Sequence, residues 1–109
     1  MDSIQLITNQ LIKFRDKRNW EQFHNSKDLA LGLMLEAAEL NELFLWKSSS
    51  EVNIKKLKRE LADVFTFAFL LAKKYNFDVK EIILEKVKLN KKKYPVKKSK
   101  NSSRKYNEL

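Results

Sequence analysis

The chain of 109 residues has no cysteine, one glycine, one proline and one histidine. Without cysteine there can be no disulfide and no thiolate metal site. With so few turn-forming residues, a sheet-rich fold with many tight hairpins is excluded, and long helices joined by short connections are expected instead. There is no long apolar run. The longest, Val64 to Ala72, includes Thr66 and is too short to span a bilayer. The first twenty residues are amphipathic and charged, unlike a secretory signal. A soluble cytoplasmic protein without a membrane partner is therefore expected.

Hydrophobic residues make up 43% of the chain, enough for one small core and hence one domain. The net charge is +9, but its distribution says more than its size. Residues 1–85 carry 13 Lys/Arg and 13 Asp/Glu, whereas residues 86–109 carry 10 Lys/Arg and a single Glu. All the excess is C-terminal. The body is neutral, so nucleic-acid binding through it is not expected; only the tail could do that.

Apolar period and capping signals divide the chain into four helices. Asp2 and Gln5 fit a capping box for a helix to Arg18, with Ile4, Leu6, Ile7, Leu11, Ile12 and Phe14 as its stripe. The segment Arg18 to Ser26 breaks the period and gathers Trp20, Phe23 and His24, with Phe23 expected to pack inside. Ser26 would cap a second helix over about Lys27 to Leu45, in which Gly32 is weak by propensity but would let a neighbouring helix come close. A third helix is predicted over about Val52 to Tyr75, ending at Asn76. Asp78 and Glu81 would start a fourth, running to about Lys92 with Val79, Ile82, Ile83, Val87 and Leu89 inward, and Tyr94-Pro95 would end it. The fold class is thus all-α, a four-helix bundle over residues 1–95 followed by a basic, mobile tail over 96–109. The third helix is too apolar for a lone bundle of this size, so a homo-oligomer is expected.

Two acidic pairs interrupt the oily stretches. Glu36 and Glu39 lie in LALGLMLEAAELNELFLW, and Glu60 and Asp63 in ELADVFTFAFLLA. On a helix, residues three apart share a face. A carboxylate in apolar surroundings is costly unless it is paired or binds a cation. Solvated helix faces are the bland reading of any one E-x-x-E; two pairs in apolar context argue for a divalent cation between them. Oxygen ligands without His or Cys suit Mg²⁺ or Mn²⁺ better than Zn²⁺, and such a site suits phosphate chemistry. Asp63 stands out, because aspartate is a poor helix-interior residue and no base lies three positions either side of it.

The pattern E-x-x-E, 20 residues, E-x-x-D resembles the signature of the MazG-like all-α nucleoside triphosphate pyrophosphohydrolases. RNWEQFH, the LW after the first pair, ELADV and the ending KKKYP…SSRKY narrow the resemblance to the dCTP pyrophosphatase type, from about Phe14 to Glu108. It implies hydrolysis between the α and β phosphates of a nucleoside triphosphate, with Mg²⁺ held by Glu36, Glu39, Glu60 and Asp63, and either Glu39 or Glu36 activating water. It further implies a base pocket from Trp20, His24 and Trp46. Phosphate contacts would come from Asn90, Lys93, Arg104, Lys105 and Tyr106, in a tail acting as a lid over its own or a neighbouring subunit's site. Members of this type carry Tyr four residues after the motif Asp, next to sugar or base; here Phe67 stands there, which leaves base and sugar preference open. The substrate implied is dCTP or a 5-modified relative. The rivals are the same chemistry on dUTP or a non-standard purine nucleotide, and a non-enzymatic helical module whose basic tail binds nucleic acid. The implied assembly is a dimer or a tetramer.

Overall fold

The computed structural model describes residues 1–109, which form helices and turns with no strand. The helices are α1 (Ser3–Lys17), α2 (Ser26–Glu42), α3 (Ile54–Lys74), α4 (Val79–Lys93) and the single-turn α5 (Val96–Ser99). Three short 3₁₀ turns, Glu21–Phe23, Ser49–Glu51 and Tyr106–Glu108, lie in the connections and tail. By contacts the chain divides into two units, Met1–Phe77 and Asp78–Leu109.

Side chains start each long helix. Asp2 and Gln5 form the reciprocal capping box, at 2.8 and 2.9 Å. Asn25, not Ser26, caps α2. Its Oδ1 accepts from the Asp28 N–H and its Nδ2 donates to Asp28 Oδ2 (2.9 and 2.7 Å), so the amide bonds both the main chain and the side chain of Asp28. Asn53 caps α3, whose first residue Ile54 lies two residues later than the apolar pattern suggests, and Asp78 caps α4.

The ends of α1 and α3 show how a chain with one glycine turns corners. Asn19 (φ 52°) and Asn76 (φ 54°) occupy the left-handed position just beyond each helix. At both ends two N–H groups reach back: Asn19 to Asp16 O and Trp20 to Arg15 O, then Asn76 to Lys73 O and Phe77 to Ala72 O, all at 3.0–3.1 Å. These are Schellman closures, with asparagine where glycine is usual. Helix α2 ends at Glu42, short of the expected Leu45, because turns tightened to i→i+3 bonds carry the chain to Trp46, itself at φ 61°.

In the first unit α3 is the central element, packed most extensively against α2 and also against α1. The interior holds Leu29, Leu70 and Ala72, with Thr8 donating its hydroxyl to Ile4 O at 2.8 Å. Gly32 marks the closest α2–α3 approach. A Cβ there would meet the Phe67 ring at Cε1, at Cδ1 (2.7 Å) and at Cζ (2.9 Å), so only glycine lets the ring lie on the α2 backbone. Phe23, expected inside, is exposed.

The second unit buries no apolar side chain, and the α4 stripe expected to face inward leaves Ile82, Ile83, Val87 and Leu89 exposed. Its tail contacts α4 through aromatic side chains. The Tyr106 ring meets Tyr94 edge-on (6.1 Å between centroids), and Lys93 Nζ lies 4.9 Å from the Tyr106 ring centre. Aromatic and cation–π contacts thus fold the tail back on the end of α4.

Candidate metal centre

Packing α2 on α3 joins the two acidic pairs. A carboxylate oxygen from each of Glu36, Glu60 and Asp63 lies within 4.8 Å of the others. Glu39, one turn beyond Glu36 on the exposed side of α2, is near enough to act on both glutamates electrostatically. Burial is unequal. Glu36 and Glu60 are half-buried, and each has its Oε2 enclosed without a hydrogen-bond partner. Asp63, the residue that stands out in the sequence, is exposed. Its short side chain leaves the desolvation to the two glutamates.

The electrostatics follow from this crowding. The Glu36 carboxyl is pushed up to about 7, first by burial, then by a hydrogen bond with Glu39 and by the charges of Glu39, Asp63 and Glu60. Glu60 is also raised, by burial and by the Glu39 charge above all, partly offset by a hydrogen bond with Glu36. Without a cation, protons partly neutralise the group. A divalent ion would do so more completely and would satisfy the orphaned Oε2 atoms. The donor set, carboxylate oxygens alone, fits Mg²⁺ or Mn²⁺.

One consequence is measurable without substrate. A carboxyl whose folded-state value lies above its ordinary 4.5 holds extra protons in the folded chain between 4.5 and about 7. The metal-free protein is therefore expected to lose stability as pH rises through that window. Mg²⁺ displaces those protons, so its stabilising effect should grow over the same interval. Thermal melts with chelator and with Mg²⁺, at pH 5 and pH 8, check this. An equal Mg²⁺ effect at both would contradict it.

The aromatic candidates lie at the two ends of α2. Trp20 and His24 precede it; Trp46 follows it and is 93% exposed. A 17-residue helix is about 25 Å long, so Trp46 cannot meet a base held by Trp20 and His24 of the same chain. Trp20 packs edge-on to Phe14 (5.8 Å), and the Arg18 guanidinium lies 3.7 Å from the Phe14 ring centre. His24 Nδ1 is buried without a partner, and the imidazole is held below its usual range by burial first, then by Arg15 and Lys74, against Glu21. The ring of Phe67 lies on Gly32. In the second unit Lys93 and Tyr106 are in contact, while Asn90, Arg104 and Lys105 are exposed.

Arg15 had no place among the sequence candidates, because it sits in a run of charges that reads as a solvated helix face. Its side chain is only 11% exposed and pairs with Asp16 at 2.8 Å and Glu21 at 3.6 Å. No sequence signal separates it from its charged neighbours.

Known proteins share this fold. The MazG-like family matches residues 32–109, which include all four acids. The chain belongs to the MazG-like family. Similar proteins include dCTP pyrophosphatase 1 of Homo sapiens (37% identical) and of Mus musculus (36%), each aligned over 89% of this chain and 62% of the relative. The chain thus spans about three fifths of the length of these relatives. Among solved structures, a pyrophosphatase from Archaeoglobus fulgidus superposes with a TM-score of 0.81 at 30% identity, covering 87% of this chain and 94% of its own. The all-helical fold of this MazG-like chain is therefore a shared architecture. No helix is long and apolar enough to cross a membrane.

Proposed function

We propose that this MazG-like chain is a divalent-cation-dependent pyrophosphohydrolase that cleaves a nucleoside triphosphate, dCTP or a 5-modified relative, to the monophosphate and pyrophosphate. The convergence of Glu36, Glu60 and Asp63, with two enclosed carboxylate oxygens lacking partners, carries this reading. The names of the dCTP pyrophosphatase relatives supply the substrate class.

Glu36, Glu39, Glu60 and Asp63 would hold the cation. When bound, Mg²⁺ supplies charge neutralisation and polarises a phosphoryl oxygen. Hydrolysis joins a water oxygen to phosphorus and breaks the bridge between the α and β phosphates, so pyrophosphate leaves. The water's proton passes to Glu36 or Glu39. Asn90, Lys93, Arg104, Lys105 and Tyr106 neutralise phosphate charge, the main need of phosphoryl transfer. Trp20, His24 and Trp46 take the base, where stacking on an aromatic ring is worth about 1–3 kcal/mol.

A homo-oligomer belongs to the same reading. Leu6, Ile7, Met34, Leu35, Leu61 and Phe65 are exposed on α1, α2 and α3, and a groove of about 370 Å³ between α1 and α3 is lined mainly by apolar side chains. The distance between the ends of α2 also requires a second copy if Trp46 is to join Trp20 and His24 at one base.

The test is a panel of dCTP, 5-methyl-dCTP, dUTP, the other common nucleotides and deaminated purine nucleotides, compared by kcat/KM with Mg²⁺. The reading expects cytosine deoxynucleotides to lead. A lead for dUTP or a purine would keep the chemistry and overturn the base assignment.

A further inference from the structure

We propose that Arg15 is a positioning residue for the base pocket, fixing the Trp20–His24 connection from both its main chain and its guanidinium. The inference rests on the nucleotide-hydrolase reading for its consequence, but on the first unit's geometry for its substance. The Arg15 carbonyl accepts the N–H of Arg18 and of Trp20, each at 3.1 Å, which sets where the chain leaves α1. The Arg15 guanidinium then reaches Glu21 Oε2 at 3.6 Å while holding Asp16 Oδ1 at 2.8 Å. The Glu21 carbonyl in turn accepts the His24 N–H at 2.9 Å, closing the 3₁₀ turn. One residue thus anchors Trp20 directly and His24 through Glu21.

Its burial distinguishes this link from an ordinary surface ion pair. Exposed pairs contribute little because water screens them and two long side chains must be ordered. Arg15 itself is almost wholly covered, so its guanidinium is held in place, while its carboxylate partners Asp16 and Glu21 remain more than half exposed. The neighbouring imidazole registers that charge. The charged groups acting on His24 are Arg15 of α1, Lys74 of α3 and Glu21 of the turn; the two cations favour the neutral ring and the glutamate opposes them. A neutral imidazole has one donor and one acceptor nitrogen, which suits the edge of a base.

The experiment uses Arg15→Gln, Arg15→Lys and Glu21→Gln in the full chain. His24 is the only histidine, so its imidazole protons can be followed by NMR against pH without assignment. Arg15→Gln is expected to move the His24 midpoint up, Glu21→Gln to move it down, and Arg15→Lys to leave it near the parent value. General loosening of the fold would move the two glutamine variants the same way, so shifts of equal sign overturn the inference, as does no shift. In nucleotide hydrolysis, Arg15→Gln should raise KM about fivefold, comparable to losing one net hydrogen bond, with kcat within about twofold. Arg15→Lys should restore KM. A fall in kcat at unchanged KM contradicts a base-pocket role. If Arg15→Gln does not fold, Arg15→Lys and Glu21→Gln still decide. If the parent chain hydrolyses no nucleotide, the functional reading fails while the NMR shifts still test the link from Arg15 to His24.

Discussion

Replacing Asp63 by Asn is expected to lower turnover by at least about 100-fold, the scale on which removal of one well-placed electrostatic group acts. Glu60→Gln should do the same. The substitutions keep shape and remove charge, so the loss should not come from unfolding. The opposite is expected of the metal-free protein. The Asp63 charge raises the carboxyls of both Glu36 and Glu60, so the cluster is held together against its own repulsion. Asp63→Asn relieves part of that repulsion, and its metal-free form should melt at a higher temperature than the parent. The stabilisation by Mg²⁺ should shrink correspondingly. Lower activity with higher metal-free stability is the pattern of a site strained for function. Steady-state kinetics and melts with and without Mg²⁺ check both halves. Full turnover in either variant would remove the acidic cluster from the mechanism.

Gly32→Ala is expected to destabilise the chain by up to about 2 kcal/mol, although propensity alone predicts the reverse. Alanine in a helix interior gains about 1 kcal/mol over glycine. Here the added methyl would overlap the Phe67 ring, and overpacking of this kind costs about 1–3 kcal/mol. The ring cannot swing clear without disturbing the face of α3 that meets α2. The damage should reach the acidic cluster, because Glu36 lies one turn after Gly32 and Asp63 one turn before Phe67. Widening the α2–α3 gap separates the two pairs, and a misplacement of about 1 Å at such a site can cost up to about 100-fold in rate. Phe67→Leu in the Gly32→Ala background should recover part of both losses, giving a favourable coupling in a double-mutant cycle. A Gly32→Ala protein more stable than the parent would show that α2 and α3 can part at no cost.

Much of this arrangement is legible in the sequence, for a definite reason. The i, i+3 spacing of each acidic pair is a property of one helix, so Glu36/Glu39 and Glu60/Asp63 can each be placed on a face from the residues alone. Capping is local too, and Asp2, Asn76 and Asp78 are visible for that reason. The meeting of the two pairs is not local. It depends on Gly32 and Phe67 bringing α2 onto α3, and spacing along the chain gives no measure of that distance. Relative burial is equally hidden. Asp63 stands out by propensity, yet the enclosed oxygens belong to Glu36 and Glu60. An apolar stripe announces that something covers it, without saying what. The α4 stripe was expected to face its own bundle, but Ile82, Ile83, Val87 and Leu89 remain exposed. Arg15 is the hardest case, since a buried guanidinium and a solvated one read alike in a run of charges.

The central claim is that two acidic pairs on α2 and α3 hold a divalent cation for cleavage between the α and β phosphates. Following dCTP by ³¹P NMR, with Mg²⁺ and then with excess chelator, tests it most directly. The expected result is dCMP and pyrophosphate in equal amounts with Mg²⁺, and no turnover once the metal is removed. Release of inorganic phosphate with dCDP, or unchanged turnover in chelator, would contradict it.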